Sequence, residues 1–217
     1  MGFITEYDPR THRSEYTLFT PEECNAISKI LLRHEKSVLA IPNEDGQHNK
    51  YEGITRQFSV YNWLDNPEML IYDIPKRLFT LPEFQQEEVL YVQCWANILR
   101  QGEKLQHHTH AGDENTPEEQ AFYASNTFIA GPQDTGTYYN DAYERNEIGH
   151  MHLIGSMVPH EVKSHMYREP RISMAMDIYH DNHPTIERAI QDINTNFISS
   201  MTVQRRIKRI TNRYKGR

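Results

Sequence analysis

Residues Gln106–Asp113 read QHHTHAGD, which places three imidazoles within four positions. Residues 88–100, just before them, alternate along a period of two that predicts a β-strand. Side chains two positions apart in a strand share a face, so His108 and His110 are predicted to project together and His107 to project away. Neutral imidazoles in this arrangement suit Fe(II), Zn(II) or Cu(II), although surface loops also carry clustered histidines.

A later segment supplies candidates for a third ligand and for an acid-binding group. His160 follows a proline between two predicted strands, and Arg171 and Ser173 share one face of the next strand. An arginine can meet a carboxylate with two parallel N–H bonds and a serine adds a further donor; a surface salt bridge is the ordinary alternative. We therefore predict that His160 joins His108 and His110 around one metal ion. The guanidinium and the hydroxyl would hold an acidic co-substrate beside it.

The length and composition favour one soluble domain with extensions. The chain has 217 residues, which is enough to bury a sizeable core. Cys24 and Cys94 are its only cysteines, which indicates a reducing compartment and a cytoplasmic protein. The first residues do not resemble a secretory signal, and no run of about 18 apolar residues predicts a membrane span.

The charge is distributed unevenly along the chain. The net charge is −7, yet residues 204–217 contain seven basic side chains and no acidic one, so the remainder carries −14. An acidic body repels phosphate, whereas the basic tail could attract it. We expect a helical appendage that packs through Ile186, Ile190, Ile193 and Phe197, with a homodimer element or a nucleic-acid arm as alternatives.

The rest of the pattern predicts helices on either side of a β-rich centre. Thr20, Pro21 and Glu23 form a capping-box signature for a helix that ends near Lys36. Asn66 begins a second, short helix, and residues 1–16 are expected to lack regular structure. Strands are predicted over residues 55–63, 121–130, 137–140, 150–158, 160–166 and 171–179, and a helix from Pro184. Short strands separated by turns favour an antiparallel sandwich or barrel.

The segment from about Glu88 to Tyr179 resembles the 2-oxoglutarate/Fe(II)-dependent oxygenases, in particular the prolyl-hydroxylase-like branch of phages and bacteria. The matching elements are Trp95-Ala96-Asn97, Gly102 six residues before His108, His108-Thr109-His110, Pro159-His160-Glu161-Val162 and Glu169-Pro170-Arg171-Ile172-Ser173. The glycine-to-histidine spacing, Pro-His-x-Val and Arg-Ile-Ser are fairly specific when they occur together. A phage origin would place the protein in the host cytoplasm.

The resemblance implies a mainly β fold with flanking α-helices, in which a double-stranded β-helix, or jelly roll, forms the catalytic core. We expect one domain made of three parts. Residues 1–86 would support the core with helices and a strand, residues 87–180 would form the core, and residues 181–217 would be a basic helical extension.

The resemblance also implies roles for the site residues. The catalytic iron ligands would be His108, His110 and His160, with 2-oxoglutarate and O2 as co-substrates. The candidates for binding 2-oxoglutarate are Arg171, Ser173, Asn97 and Tyr123. The usual second ligand of the family is an acidic residue at the position that His110 occupies here. Asp113 is therefore the alternative second ligand, although strand geometry favours His110.

The implied reaction hydroxylates an unactivated C–H bond while 2-oxoglutarate is decarboxylated to succinate, and the expected substrate is a prolyl or other peptide side chain. Two other functions fit the residues. One is a three-histidine metal dioxygenase of the cupin type, which needs no 2-oxoglutarate. The other is a non-catalytic metal-binding or nucleic-acid-associated module.

Overall fold

The structure is a computed structural model that describes residues 7–41, 61–188 and 207–212. Besides a helical stretch over residues 184–188, where the sequence predicts a helix from Pro184, these residues form ten strands and two α-helices. The helices are α1 (Pro21–Leu39) and α2 (Ile74–Phe79), with 3₁₀ helices at Trp63–Asp65 and Pro67–Tyr72. The strands are β1 (Arg13–Thr17), β2 (Val89–Leu99), β3 (Leu105–His108), β4 (Tyr123–Ala130), β5 (Thr137–Tyr139), β6 (Ala142–Glu144), β7 (His150–Gly155), β8 (His160–Val162), β9 (Arg171–His180) and β10 (Lys208–Thr211). This composition confirms the predicted mainly β architecture.

The strands form two sheets in which every pairing is antiparallel. One sheet has six strands in the order β1-β7-β4-β9-β2-β10, and the other has four in the order β3-β8-β5-β6. The longest pairing joins β2 to β9, from Leu90 opposite His180 to Leu99 opposite Arg171. This pairing brings residues that are about 80 positions apart in sequence into one continuous surface.

Helix α1 begins where the sequence predicts. The Thr20 hydroxyl accepts a hydrogen bond from the Glu23 backbone N–H, and the Glu23 carboxylate accepts one from the Thr20 backbone N–H, so the capping box is complete. The helix continues to Leu39, three residues beyond the predicted end. Its buried residues Ile27 and Leu31 belong to the main apolar core, which covers one face of the larger sheet.

Alternation along β2 and β9 separates that core from a polar interior. On β9, the side chains of Met174 and Met176 lie in the apolar core, whereas those of Arg171, Ser173 and Asp177 line a cavity. On β2, Asn97 faces the same cavity. The period-two pattern of these two strands therefore determines which residues can form a site.

The two ends of the chain differ from the predictions. Residues 208–211 form strand β10, which pairs with β2 from Lys208 opposite Val92 to Thr211 opposite Val89, so the prediction of a helical extension is wrong there. The edge of β2 would otherwise present unpaired backbone groups, and satisfying them outweighs a weak helical stripe. Residues 13–17, expected to be irregular, form β1 and pair with β7 for the same reason.

Several predictions fall partly or wholly outside the described residues. The predicted strand over residues 55–63 is one, and the helical face at Ile190, Ile193 and Phe197 is another. Ile186, from the same face, is 1% exposed and packs in a small apolar cluster with Phe122 and Tyr179. Both cysteines are buried and unpaired. Among the helices in the described ranges, none is long and apolar enough to cross a membrane.

Buried histidines make the stability of this fold depend on pH. His152 on β7 is 8% exposed and lies against Tyr139, with ring centroids 5.2 Å apart. Burial lowers the pKa of His152 below its usual value. The unfolded chain therefore binds a proton that the folded chain rejects. The stability that the neutral His152 side chain contributes is therefore fully present above about pH 6.5, and it is lost as the pH falls through the folded-state pKa of His152.

We expect the free energy of unfolding of the metal-free protein to decrease below about pH 6.5, with His152 contributing at most about 1.4 kcal/mol per pH unit. Urea titrations between about pH 7.5 and 5 measure this slope. His152→Gln should make the slope shallower, whereas the same change at the exposed His107 should leave it as in the wild type. Equal slopes for the wild type and His152→Gln would contradict the assignment.

Candidate metal centre and acid-binding cavity

Three histidines from distant parts of the sequence meet at one point. His108 ends β3, His160 begins β8, and the two are cross-strand partners with ring centroids 4.3 Å apart. The His110 backbone N–H donates to the carbonyl of Ser156 (2.8 Å), which holds that residue beside them. One nitrogen from each imidazole lies within 4.8 Å of the others. This arrangement brings the three predicted ligands together.

An irregularity in β3 helps to aim these side chains. Between the pairs Leu105–Val162 and His108–His160, β3 has one more residue than β8, and the register shifts there. An extra residue on one strand is a β-bulge, which turns the neighbouring side chains relative to a regular ladder. The bulge lies directly before the first candidate ligand.

The Nδ1 atoms of all three imidazoles already have partners. Nδ1 of His108 lies 2.8 Å from the carbonyl of Gln106, and Nδ1 of His160 lies 3.0 Å from the carbonyl of Val158. Nδ1 of His110 lies 2.5 Å from Oδ1 of Asp177. An imidazole that donates from Nδ1 keeps its lone pair on Nε2, so Nε2 is the atom that each ring offers to a metal.

The environment keeps two of the rings neutral. Burial lowers the pKa of His108, and burial together with the neighbouring His110 and His108 holds the pKa of His160 well below its usual value. A neutral ring can donate its lone pair, whereas a protonated ring cannot. The donor set therefore fits a divalent transition-metal ion, as three imidazoles on one side of such an ion leave positions for other ligands.

Two residues near the predicted cluster lie outside it. His107 is exposed at the rim of the cavity. The side chain of Asp113, the alternative second ligand, is 89% exposed and lies 3.8 Å from Arg10. His110 is thus the one of the two alternatives that lies in the cluster.

Arg171 is a fully buried cation. Its exposed fraction is 1%, and its guanidinium donates to the carbonyl of Thr135 (3.0 Å), to the hydroxyls of Ser173 (3.2 Å) and Thr137 (2.9 Å), and to Oδ1 of Asn146 (3.3 Å). Burial lowers its pKa to about 10, which leaves it charged at neutral pH. All four acceptors are uncharged, and the described residues provide no carboxylate partner for this guanidinium.

One cavity of about 400 Å³ is lined by both groups, the three imidazoles and the buried guanidinium. This volume is in the range of small-molecule sites. The cavity is also lined by polar residues, which are Asn97, Ser125, Asn126, Thr137 and Ser173. Apolar residues complete this part of the lining, namely Trp95, Leu105, Val162 and Ala175. A molecule in this cavity can therefore reach a metal ion and a cation at the same time.

The two remaining candidates for binding the co-substrate, Asn97 and Tyr123, lie in different parts of the structure. Asn97 is 4% exposed and lines the cavity, and its Oδ1 has no hydrogen-bond partner among the described residues. Tyr123 does not line the cavity. Its ring lies in the apolar core, 5.2 Å from Phe84 and 4.5 Å from Tyr7 between ring centroids. The structure does not place Tyr123 in the cavity, because Tyr123 lies opposite Ile178 of β9, whose side chain belongs to the apolar core.

Three residues that contact the site were not predicted. Thr137 and Asn146 accept hydrogen bonds from Arg171, and Asp177 contacts His110. The sequence places Asp177 on the same face of its strand as Arg171, and this shared face could have indicated that Asp177 lies in the site. Asn146 lies between β6 and β7, and no pattern in the sequence indicates its contact.

No protein-family model matches the sequence, and a comparison with curated proteins finds no match. Solved structures do share its fold. A prolyl-4-hydroxylase from Pseudomonas putida superposes with a TM-score of 0.54 at 14% identity, covering 77% of this chain and 92% of that chain. This chain shares the fold of that prolyl-4-hydroxylase.

Two further solved structures illustrate the same fold. HygX from Streptomyces hygroscopicus, with nickel and 2-oxoglutarate bound, has a TM-score of 0.53 at 11% identity over 77% of this chain and 81% of that chain. CytC3 with Fe(II) and alpha-ketoglutarate has a TM-score of 0.51 at 15% identity over 81% and 76%. These matches confirm the predicted double-stranded β-helix core. At such identities the likeness concerns the fold, so the activity has to be argued from the site residues.

Single alanine substitutions test the proposed ligands. We expect His108→Ala, His110→Ala and His160→Ala each to weaken binding of Co(II) by more than about 100-fold, which exceeds the usual cost of losing an outer contact of a metal site. The matched controls are His107→Ala and Asp113→Asn, which should bind Co(II) like the wild type. Calorimetric titration measures the affinities, and equal loss at His107 and His108 would contradict the assignment.

Proposed function

We propose that this protein is an Fe(II)- and 2-oxoglutarate-dependent dioxygenase that hydroxylates an unactivated C–H bond. The observation that carries the proposal is the pairing of two groups in one cavity. Three imidazoles that could hold a metal ion line the same space as a buried guanidinium that has no carboxylate partner among the described residues.

The buried charge supports an acidic co-substrate. A charge removed from water is costly unless an opposite charge and hydrogen bonds compensate for it. Arg171 makes hydrogen bonds to neutral acceptors, so a bound carboxylate would supply the missing compensation. A guanidinium recognises a carboxylate by parallel N–H bonds. A keto acid with two carboxylates could meet Arg171 with one of them and a metal ion with the other.

In this proposal each residue has a limited task. His108, His110 and His160 would hold the iron through neutral nitrogens, and Arg171 with Ser173 would bind the distal carboxylate of 2-oxoglutarate. The bound iron and keto acid supply the oxidising chemistry, in which O2 is consumed, 2-oxoglutarate yields succinate and CO2, and a substrate C–H becomes C–OH.

The remaining walls of the cavity would position the co-substrate and limit water. Trp95, Leu105 and Val162 present apolar surface to the cavity. The Asn97 carboxamide, buried beside Ser173 across the β2–β9 pairing, would orient the co-substrate from the side. Low water content strengthens the contacts of a fixed charge with its ligand.

The primary substrate in this proposal is a prolyl or other peptide side chain. The solved prolyl-4-hydroxylase from Pseudomonas putida, whose fold this chain shares, supports that class. The exposed residues Gln106, His107 and Thr109 form part of the cavity lining on the side of β3, and they would meet the substrate first.

A second candidate is a three-histidine metal dioxygenase that needs no 2-oxoglutarate. The all-imidazole donor set favours it, because the ligand group itself contains no carboxylate. The uncompensated charge of Arg171 favours the first candidate, because a reaction without an acidic co-substrate provides no anion for it.

Anaerobic titration with Fe(II) and 2-oxoglutarate tests the proposal. We expect a weak visible charge-transfer band, which appears only when the keto acid chelates the iron, and O2-dependent formation of succinate once air and a peptide substrate are admitted. Arg171→Gln should abolish the band at 2-oxoglutarate concentrations that saturate the wild type and keep Co(II) affinity within about threefold, because the guanidinium is not a metal ligand.

Arg33→Gln is the matched control for this titration. The Arg33 side chain is 58% exposed on α1 and pairs with Glu68, so its loss should leave both affinities unchanged. Metal binding without a band, together with O2 uptake that does not require 2-oxoglutarate, would favour the second candidate. Equal loss of metal and 2-oxoglutarate affinity in Arg171→Gln would reject the role of Arg171.

A further inference from the structure

Among the three candidate ligands, His110 has a different outer contact from the other two. His108 and His160 are oriented by neutral backbone carbonyls, whereas Nδ1 of His110 meets the carboxylate of Asp177 at 2.5 Å. Both partners are largely buried, with side-chain exposures of 8% for His110 and 15% for Asp177. A charged acceptor in a partly desolvated place makes a stronger contact than a carbonyl.

The position of Asp177 is fixed by the same strand that carries the acid-binding group. Asp177 lies on β9, opposite Gln93 of β2, and shares the cavity face with Arg171 and Ser173. The Trp95 ring lies near the His110 ring, with centroids 5.7 Å apart and ring planes tilted by 31°. The imidazole of His110 thus has both an indole and a carboxylate as neighbours.

The charges of the cavity give this contact a role beyond orientation. Three neutral imidazoles leave the charge of a divalent cation uncompensated, and Arg171 adds a positive charge to the same cavity. Among the described residues that line the cavity, Asp177 is the only acidic one. Within the described part of the lining, its carboxylate is therefore the one side-chain negative charge that can offset either cation.

We propose that Asp177 is a positioning residue that, through His110, supplies the negative charge that the metal ligands themselves lack. The inference rests on the proposed metal site and deepens it. A carboxylate that accepts a hydrogen bond from the far nitrogen of a ligating imidazole fixes the ring and makes its other nitrogen a stronger donor. His110 and Asp177 together would then replace a single carboxylate ligand.

The contact with His110 also limits what else Asp177 can do. Its Oδ1 is occupied by Nδ1 of His110, and the group of atoms that could hold one ion includes the three imidazoles without this carboxylate. Asp177 makes no ion pair with Arg171 in the described structure. It is thus placed to act on the metal through the imidazole.

The test compares metal affinities of the full-length protein in calorimetric titrations with Co(II), and follows the visible spectrum of bound Co(II) as a second readout. Asp177→Asn keeps the size of the side chain and removes its charge. We expect it to weaken Co(II) binding by about 10- to 100-fold, as is usual for an outer carboxylate of a metal site, and to alter the Co(II) spectrum. Asp181→Asn, a surface acid just beyond β9, is the matched control and should bind like the wild type.

A compensating double variant makes the test independent of any loss of stability in Asp177→Asn. His110→Asp combined with Asp177→Asn moves the carboxylate from the outer position into the ligand position. We expect this double variant to bind Co(II) within about tenfold of the wild type and more tightly than Asp177→Asn.

Two results would overturn the inference. One is an Asp177→Asn affinity equal to that of the wild type, and the other is a double variant that binds no more tightly than Asp177→Asn. A merely structural role for Asp177 would lower the melting temperature of the metal-free protein and leave the affinity unchanged. Failure of the wild type itself to bind Co(II) would instead reject the proposed metal site, so the two failures are distinguishable.

Discussion

The buried charge of Arg171 is the constraint on which the proposed function of the cavity depends. A guanidinium that is 1% exposed and bonded to four neutral acceptors is stable only if something compensates for its charge. The fold holds it on β9, beneath the loop that contains Thr135 and beside β5. An anion bound in the cavity would complete that arrangement, and the three imidazoles on the same cavity would act on whatever the anion is attached to.

Two strands, β2 and β9, position many of the residues that line the cavity. Strand β9 pairs with β2 over its full length, so a single alternation sends apolar side chains toward the main apolar core and polar ones toward the cavity. The smaller sheet then brings His108 and His160 together as cross-strand partners. Because one β9 face carries Arg171, Ser173 and Asp177, a single strand links the acid-binding group to the outer contact of the metal site.

The sequence predicts the parts of this molecule whose signals are local or strictly periodic. The capping box at Thr20, the alternation of β2 and β9 and the His-x-His pair were all recognisable. The strands predicted to begin at residues 121, 137, 150, 160 and 171 begin within two residues of those positions. The differences from the structure have a common cause. Assigning Tyr123 to the cavity required knowledge of which face of β4 turns inward, and strand β10 forms because β2 offers a free edge far away in sequence. Likewise, Asn146 reaches Arg171 from a loop, where no period fixes the direction of a side chain.

The most direct test is a crystal structure of the protein grown anaerobically with Fe(II) and 2-oxoglutarate, with anomalous scattering data collected at the iron edge. We expect one anomalous peak between the Nε2 atoms of His108, His110 and His160. The keto acid should lie in the cavity with its distal carboxylate on the Arg171 guanidinium. An iron peak away from these three nitrogens, or a keto acid bound without contact to Arg171, would contradict the account.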